Sequence, residues 1–427
     1  MGPFDERDLP RMRPLWHQLK SGDWLTLERI RAYSLMVLVI GLAVGAIWIG
    51  LSKDGVDRYG KPLGTDFSSF YAAGSMTLEG NAAAAYDFGL HHAREQQIFG
   101  AATPYYAWLY PPIFFLVAAP LAWLPYPAAF AVWQFGSLAL YLIVIGAILR
   151  GVRADNAVRR NWLLVAIAFP AVLLNIGHGQ NGLLSAALFG AALITLPRRP
   201  VLAGVLFAAL AYKPQFGIAI PFALLAAGRW RTIAAACLTL ALLIAVTAFL
   251  FGIEAWSAFL ASTSVSRKIL LESGAVGFEK LQSAFAVVRL WGGGVTLAYV
   301  VQALVSCAVV ASIVWCWRST CDEAHKAVLL VAGTLLASPH ILDYDLVVLA
   351  IAMAFLATHG LRFGFRPFEI SLLGALWVVP SVARQAAGLI ALPVGFLVIA
   401  AFYVTVLMHV RDQATAQRSD RLRADVI

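Results

Sequence analysis

The chain has 427 residues, of which 61% are hydrophobic and 13% are charged, and its mean hydropathy is +0.77. A soluble domain is about 45–50% apolar and about 25% charged, so this composition excludes an ordinary water-soluble protein and a disordered one. The formal charge of +9 is spread over short basic tracts between apolar runs, which is typical of cytoplasmic loops and argues against nucleic-acid binding. The sequence predicts an all-α polytopic membrane protein.

The N-terminal part predicts a basic cytoplasmic tail over residues 1–31, followed by a first span that acts as an uncleaved signal anchor. The polar stretch that comes next is expected outside, with surface helices near 67–79 and 88–99. A long ordered loop of this kind is usually functional. The first span is expected at 32–51 and the outer segment at 52–108. A second outer segment is expected later in the chain, at 253–283.

The number of crossings is ambiguous in the middle of the chain. Counting every apolar run as a crossing yields about 12 transmembrane helices in one domain, 32–410, before the tail 411–427. That count places a basic cluster outside, against the positive-inside rule: Arg150, Arg153, Arg159 and Arg160. The alternative is that some proline-punctuated runs are re-entrant or broken helices, which are tolerated only where protein or water surrounds them. The short runs in question are 109–124, 127–149, 161–175, 182–196 and 201–227.

Asp66 lies at the start of the first outer helix, in GTDFSSFYAAG. An aspartate there is commonly a helix N-cap, and this interpretation stands beside a functional one. The functional alternative is a general base at the outer membrane surface that takes a proton from an acceptor hydroxyl. Tyr71 and, in YPPIFF, Tyr110 are assigned either to a substrate cavity or to the membrane interface.

Two central motifs place polar side chains at membrane depth. NIGHGQNG carries His178, Gln180 and Asn181, as either a polar hairpin turn or part of a substrate cavity. AYKPQFG carries Lys213, with Gln215 in the same cavity assignment. An intramembrane lysine either snorkels from a hairpin apex or has a function, here as the cation that pairs with a phosphate.

The motif SPHILDYD at 338–345 is expected at an outer helix boundary. Its carboxylates, Asp343 and Asp345, are candidate helix caps or cavity residues, and His340 is a candidate phosphate ligand or proton-transfer group. The spacing of His340 and Asp343 is not diagnostic of a metal site, so no metal is expected. Arg267 and Lys268 in the second outer segment are either solvated charges or cations that approach a phosphate.

Five motifs occur in a fixed order: DFSSFYAAG, LEGNAAAAYD, YPPIFFLVAAPLAWLP, GHGQNG and RRPVLAGVLFAALAYKPQ, the last followed by GRWR. In this order and spacing the chain resembles glycosyltransferase family 87 of the GT-C superfamily over about residues 60–350. The resemblance implies a GT-C-like fold and a transferase that uses a polyprenyl-phosphate sugar, usually mannose, at the outer face of the bacterial cytoplasmic membrane. It implies Asp66 as the base, and it matches Lys213–Pro214 and His340 to the family's KP pair and late histidine.

The resulting hypothesis is an inverting mannosyltransferase whose partners are the lipid-linked donor, a glycolipid or glycan acceptor and membrane lipids. Cations would hold the donor phosphate as negative charge grows on it, and neither a cofactor nor a metal is required. The cations assigned to this role are Lys213, His340, Arg267 and Lys268. One alternative is a transporter or lipid flippase with Lys213 and His178 at a midplane site, and another is a non-catalytic assembly subunit.

Overall fold

The computed structural model describes the backbone of residues 9–53, 55–151 and 156–424. Every named element in these ranges is helical, and apart from three isolated bridges no strand pairing occurs in them. The all-α class predicted from composition is therefore confirmed.

The first half of the chain alternates long apolar helices with short ones. Numbered in chain order, its helices are α1 (Leu9–Ser21), α2 (Leu27–Gly50), α3 (Thr65–Leu78), α4 (Phe88–Phe99), α5 (Phe115–Leu121), α6 (Tyr126–Leu149), α7 (Asn156–Ile167), α8 (Pro170–His178), α9 (Gly182–Thr195), α10 (Pro200–Ala209), α11 (Ile220–Ala226) and α12 (Trp230–Phe251). Short 3-10 turns lie at Ala82–Tyr86, Pro112–Phe114, Leu210–Tyr212 and Pro214–Gly217.

The second half continues the same alternation. Its helices are α13 (Ile253–Arg267), α14 (Ala284–Leu290), α15 (Val295–Arg318), α16 (Glu323–Ala337), α17 (Leu349–Phe363), α18 (Glu369–Ile390) and α19 (Val394–Ala424). A π turn lies at Lys268–Glu272, and 3-10 turns lie at Phe278–Lys280 and Asp343–Val348.

Seven helical units among the described residues are long and apolar enough to cross a membrane, or eight if α7 and α8 form one span bent by 48°. The polytopic class is supported, but the predicted count of about 12 crossings is not confirmed. The first span begins at Leu27, before the predicted residue 32, because Thr26 caps the helix by accepting from the Arg29 backbone N–H. The seven units are α2, α6, α12, α15, Asp343–Phe363, α18 and Val394–Thr415.

Proline explains why the central apolar runs are not straight spans. The residue before a proline avoids the helical region of backbone space. Phe169 before Pro170 is extended, with φ −56° and ψ 121°, and separates α7 from α8. Lys213 before Pro214 has φ −121° and ψ 78°, so the run expected at 201–227 forms α10, two 3-10 turns and α11. These breaks favour the broken-helix alternative over a crossing for every run.

The two ends of α6 locate Arg150 in the bundle. At the start of α6 the Tyr126 hydroxyl donates to the Leu63 carbonyl in the outer segment. At its other end, a Cβ built on Gly151 would lie 3.2 Å from the Arg362 guanidinium. Arg150 therefore lies at the same end as Arg362, which the positive-inside rule assigns to the cytoplasm. This position does not support the crossing count that puts Arg150 and Arg362 on opposite sides of the membrane. Arg153 is not among the described residues.

A helical hairpin of α16 and α17 forms the centre of the bundle. Residues 327–337 of α16 are buried throughout, and α15 and α19 pack on this helix together with α17. By contrast, only 6% of the most apolar 18-residue stretch of α2, and likewise of α12, is buried within the protein. The apolar surfaces of these two helices therefore face lipid. The turn between α16 and α17 carries the 338–345 motif to the end of the bundle where α3 lies.

The outer segment is an ordered helical layer, and its two predicted helices are confirmed as α3 and α4. Aromatic rings of α3 interlock with rings from the following loop and from α6. Gly74 of α3 lies so close to the Ala118 carbonyl that a Cβ there would overlap it. Tyr86 is buried, and its hydroxyl donates to the Tyr110 carbonyl at 2.9 Å, which fixes the loop after α4 to this layer.

Candidate functional site

Asp66 lies in the first turn of α3, where the N-cap residue is Gly64 with a left-handed φ of 70°. No side-chain cap hydrogen bond occurs there, so the interpretation of Asp66 as a helix cap is wrong. The Asp66 carboxylate is half-buried, and its Oδ2 accepts a hydrogen bond of 2.9 Å from the Gln180 amide. Asp66 is thus held by a residue from a distant motif rather than by its own helix.

The start of α3 contacts the 175–182 motif backbone to backbone. Gly179 has a φ of 66°, and a Cβ built on it would lie 2.5 Å from Phe67 Cβ and 3.4 Å from Gly64 Cα. Beside this contact, Thr65 Oγ1 and His178 Nδ1 are 2.9 Å apart. Glycine is required at such a close approach. The contact places His178 and Gln180 next to the acid.

Gln180 connects three parts of the site. Its Oε1 accepts from the Tyr110 hydroxyl at 3.2 Å and from the Asn181 backbone N–H at 2.8 Å. Two donors on Oε1 orient the amide so that its N–H group faces Asp66. Tyr110 is therefore a buried site residue and not an interfacial one. Asn181 is fully buried beside it, and neither side-chain atom has a hydrogen-bond partner among the described residues.

Lys213 and Asp345 form a buried ion pair with Nζ 2.6 Å from Oδ1. Both side chains are nearly inaccessible to solvent, so the snorkelling interpretation of Lys213 is wrong. The ammonium also lies 5.4 Å from the centre of the Tyr344 ring. Asp345 Oδ2 accepts from the Leu342 backbone N–H at 3.1 Å, which is the capping role considered for this carboxylate.

The 338–345 turn supplies further polar groups. His340 Nε2 is buried without a hydrogen-bond partner in the described part of the chain. Asp343 Oδ1 accepts from the Tyr344 backbone N–H at 2.9 Å. The Asn175 amide donates to the Tyr344 carbonyl at 2.6 Å, and the rings of Tyr344 and His178 are 6.2 Å apart. The turn is thereby tied to α8 and to the residues beside Asp66.

Burial and the neighbouring charges together determine the pKa of the Asp66 carboxyl. Burial raises the pKa of the Asp66 carboxyl above its ordinary value, and His178, the Gln180 hydrogen bond, Lys213 and Lys280 partly oppose this. Burial lowers the pKa of His340, with Asp345 opposing and Lys213 adding to the effect. The raised pKa makes the Asp66 carboxylate a stronger base than a solvated aspartate, and the lowered pKa of His340 favours its neutral form. Asp66 and His340 both respond to the charge of Lys213, so the three predicted residues share one electrostatic environment.

Several predicted residues are placed elsewhere. Arg267 is 58% exposed and pairs with Glu272 at 3.2 Å, and Lys268, the first residue of the π turn after α13, is also exposed. The Tyr71 hydroxyl donates to the Leu124 carbonyl at 2.9 Å within the outer aromatic layer. Gln215 is half-buried shortly after Lys213.

Sequence reasoning missed three residues near the site. Asn175 and Tyr344 are inside motifs that were singled out, and their hydrogen-bonding groups were the available signal. Lys280 had no sequence signal beyond its charge, yet it is the cation of the second outer segment that acts on Asp66.

Two cavities described in the structure lie toward the Arg150 end of the bundle. They measure about 230 and 500 Å³ and border residues such as Trp317 and Arg150. Neither of these two cavities borders Asp66.

The arrangement at the start of α3 places a carboxylate of raised pKa near positive charge. Such a half-buried aspartate, next to a cation and to neutral hydrogen-bond donors, is suited to accept a proton. The model of glycosyltransferase family 87 matches residues 108–339, more than half of the chain. This range includes Gln180 and Lys213, ends directly before His340 and begins after Asp66. No curated protein and no solved structure matches the chain.

Proposed function

The chain belongs to glycosyltransferase family 87, and from this we propose that it transfers a sugar from a polyprenyl-phosphate donor to a glycolipid or glycan acceptor. Mannose is the proposed sugar, and the outer face of a bacterial cytoplasmic membrane is the proposed place of reaction. The observation that carries the proposal is the hydrogen bond between Gln180 and the partly exposed Asp66, in the same electrostatic environment as Lys213.

In the proposed reaction Asp66 acts as the general base. Gln180 occupies Oδ2, so Oδ1 is the atom that accepts the proton of the acceptor hydroxyl. The acceptor oxygen then attacks the anomeric carbon as the bond from that carbon to the phosphate oxygen breaks. The bonding electron pair leaves with the phosphate, and attack from the opposite face inverts the anomeric centre. A raised pKa increases the basicity of Asp66, which favours proton removal near neutral pH.

The donor phosphate would bind on the Lys213 side of the site. An ammonium group has three N–H donors, and Asp345 takes one, which leaves two for phosphate oxygens. His340 offers Nε2 as a further neutral donor. Positive charge placed where the leaving phosphate becomes more negative stabilises the transition state more than the bound donor. Arg267 and Lys268 would add to this attraction from the second outer segment.

The test is sugar transfer by the purified chain in lipid nanodiscs. Labelled polyprenyl-phosphate mannose, glucose and arabinofuranose would each be offered with a membrane-lipid acceptor extract, and products identified by mass spectrometry. Asp66→Asn preserves a partner for Gln180 and should lower the rate by about 10²–10⁴-fold. Glu79→Gln changes an exposed acid in the same outer segment and should leave the rate near that of the parent.

Two results would contradict the proposal. Unchanged transfer by a folded Asp66→Asn variant would remove Asp66 as the base. Movement of labelled lipid across the bilayer without a new glycosidic bond would favour the flippase alternative.

A further inference from the structure

A second polar cluster lies at the opposite end of the α16–α17 hairpin from Asp66. Asp322 directly precedes α16, His325 is in its first turn, and His359 is near the end of α17. The Asp322 Oδ2 atom is 3.8 Å from His325 Nδ1 and 3.9 Å from His359 Nδ1. One ligand atom from each residue lies within 4.8 Å of the others, and the two imidazole rings are 4.5 Å apart.

The contacts among the described residues leave the His325 imidazole without a bonding partner. Asp322 occupies the N-cap position of α16, yet its carboxylate makes no capping hydrogen bond and points to the two rings. His325 is fully buried, and neither of its ring nitrogens has a hydrogen-bond partner among the described residues. An unpaired buried imidazole is unfavourable unless something else completes its bonding.

We infer that Asp322, His325 and His359 bind a divalent transition-metal ion, with Zn²⁺ as the preferred ion. Two imidazoles and one carboxylate are a ligand set that Zn²⁺ accepts, whereas Mg²⁺ and Ca²⁺ prefer oxygen ligands alone. Bonds of 2.0–2.2 Å in a tetrahedral site place ligand atoms about 3.4 Å apart. The two Asp322 distances exceed this by 0.4 and 0.5 Å, and all three ligand atoms lie within 4.8 Å of one another, so the side chains would close slightly on the ion.

Access and location indicate a structural role. The Asp322 side chain is 55% exposed, so an ion can enter from water and keep a water molecule in its fourth position. The cluster joins the start of α16 to the end of α17, and the turn between these helices carries His340 and Asp345. A bound ion would therefore clamp the hairpin that supports the proposed transferase site. The ion has no role in the sugar-transfer step proposed above.

The test uses the full chain in detergent after treatment with a chelator. Zn²⁺ would be added while bound metal is counted by elemental analysis and the unfolding temperature is recorded. We expect one Zn²⁺ per chain and an unfolding temperature that rises with Zn²⁺ concentration, because the folded state alone presents the site. Asp322→Asn and His359→Gln should each weaken binding at least tenfold, and His92→Gln in the outer segment should leave it unchanged.

Two variants and a spectroscopic probe separate this site from the nearby thiols. Cys316 and Cys321 have sulfur atoms 3.1 Å apart just before Asp322. Cys321→Ser should retain binding, and Co²⁺ in place of Zn²⁺ should give a visible spectrum without sulfur-to-metal charge transfer. The inference is overturned if the parent chain binds no stoichiometric Zn²⁺, or if Asp322→Asn and His359→Gln bind it as tightly as the parent. These readouts do not depend on sugar transfer, so either proposal can fail alone.

Discussion

Lys213 and Asp345 neutralise each other across 2.6 Å in the interior of the protein, and they join the two 3-10 turns after α10 to the turn before α17. A buried ion pair contributes little net stability, because desolvation of both charges opposes their attraction. Removal of one partner is different, since it leaves a buried charge without compensation.

Lys213→Met is therefore expected to lower the free energy of unfolding by about 3–5 kcal/mol. The double variant Lys213→Met, Asp345→Asn removes both charges while the new amide oxygen still accepts from Leu342, so it should recover much of that stability. Thermal unfolding in detergent measures both effects. If Lys213 binds the donor phosphate, the double variant should regain stability but not sugar transfer. A Lys213→Met variant as stable as the parent would contradict the interpretation as a buried charge pair.

Activity should depend on pH through Asp66. The base must be ionised, and its pKa is raised, so transfer is expected to fall as the pH decreases through a value above that of a solvated aspartate. The Gln180 hydrogen bond lowers this pKa, so Gln180→Leu should move the acidic limb to higher pH. A pH–rate profile of kcat/KM measures the shift. Gln96→Leu, an exposed amide in α4, serves as the control, and a downward shift in Gln180→Leu would refute the assignment.

Lys280 is expected to matter more for donor binding than Arg267. Lys280 is half-buried and its charge reaches Asp66, whereas Arg267 is exposed and paired with Glu272. Lys280→Ala should raise the donor KM about tenfold, which corresponds to about 1.4 kcal/mol. Arg267→Ala removes an exposed pair worth about 0.2–1 kcal/mol and should change KM little. If Arg267→Ala raises the donor KM more than Lys280→Ala does, the donor phosphate binds near the end of α13 instead.

The packing of α10 on α12 predicts a sensitive glycine. A Cβ at Gly204 would overlap the Thr232 carbonyl and lie 2.8 Å from Ala235 Cβ. Gly204→Ala should therefore destabilise the protein by about 1–3 kcal/mol. Gly136 in α6 has open space around its Cβ position, so Gly136→Ala should be neutral or slightly stabilising. Paired unfolding curves compare the two, and equal midpoints would show that α10 and α12 separate easily.

Local features of the fold were predictable from the sequence. Hydropathy and turn residues located α3, α4 and the long apolar helices, because these signals act over a few residues. The number of crossings was not, since a proline after Lys213 or Phe169 breaks an apolar run without changing its hydropathy. The position of Arg150 near Arg362 at the end of α17 depends on how separate helices pack, and the sequence did not predict it.

The site residues were identified by type, and their connections were not. Asp66, Gln180 and Lys213 carry groups that are unfavourable in a membrane protein unless they are used, which is a signal in each motif alone. That Gln180 contacts Asp66, or that Asp345 contacts Lys213, depends on how separate helices pack. Lys280 was overlooked for the same reason, because nothing near it in the chain indicates that it faces the acid.

The main chains of Gly64 and Gly179 lie close together at the start of α3, and neither residue carries a functional group. The distance between the proposed base and the amide that orients it is set by this meeting of two main chains. A methyl group on Gly179 would overlap Phe67 and push the two segments apart, and one on Gly64 would overlap the Phe130 ring of α6. Either change would disturb the contact between carboxylate and amide, although every reactive atom would still be present. Related sequences should for this reason tolerate change at these two positions as poorly as at the acid.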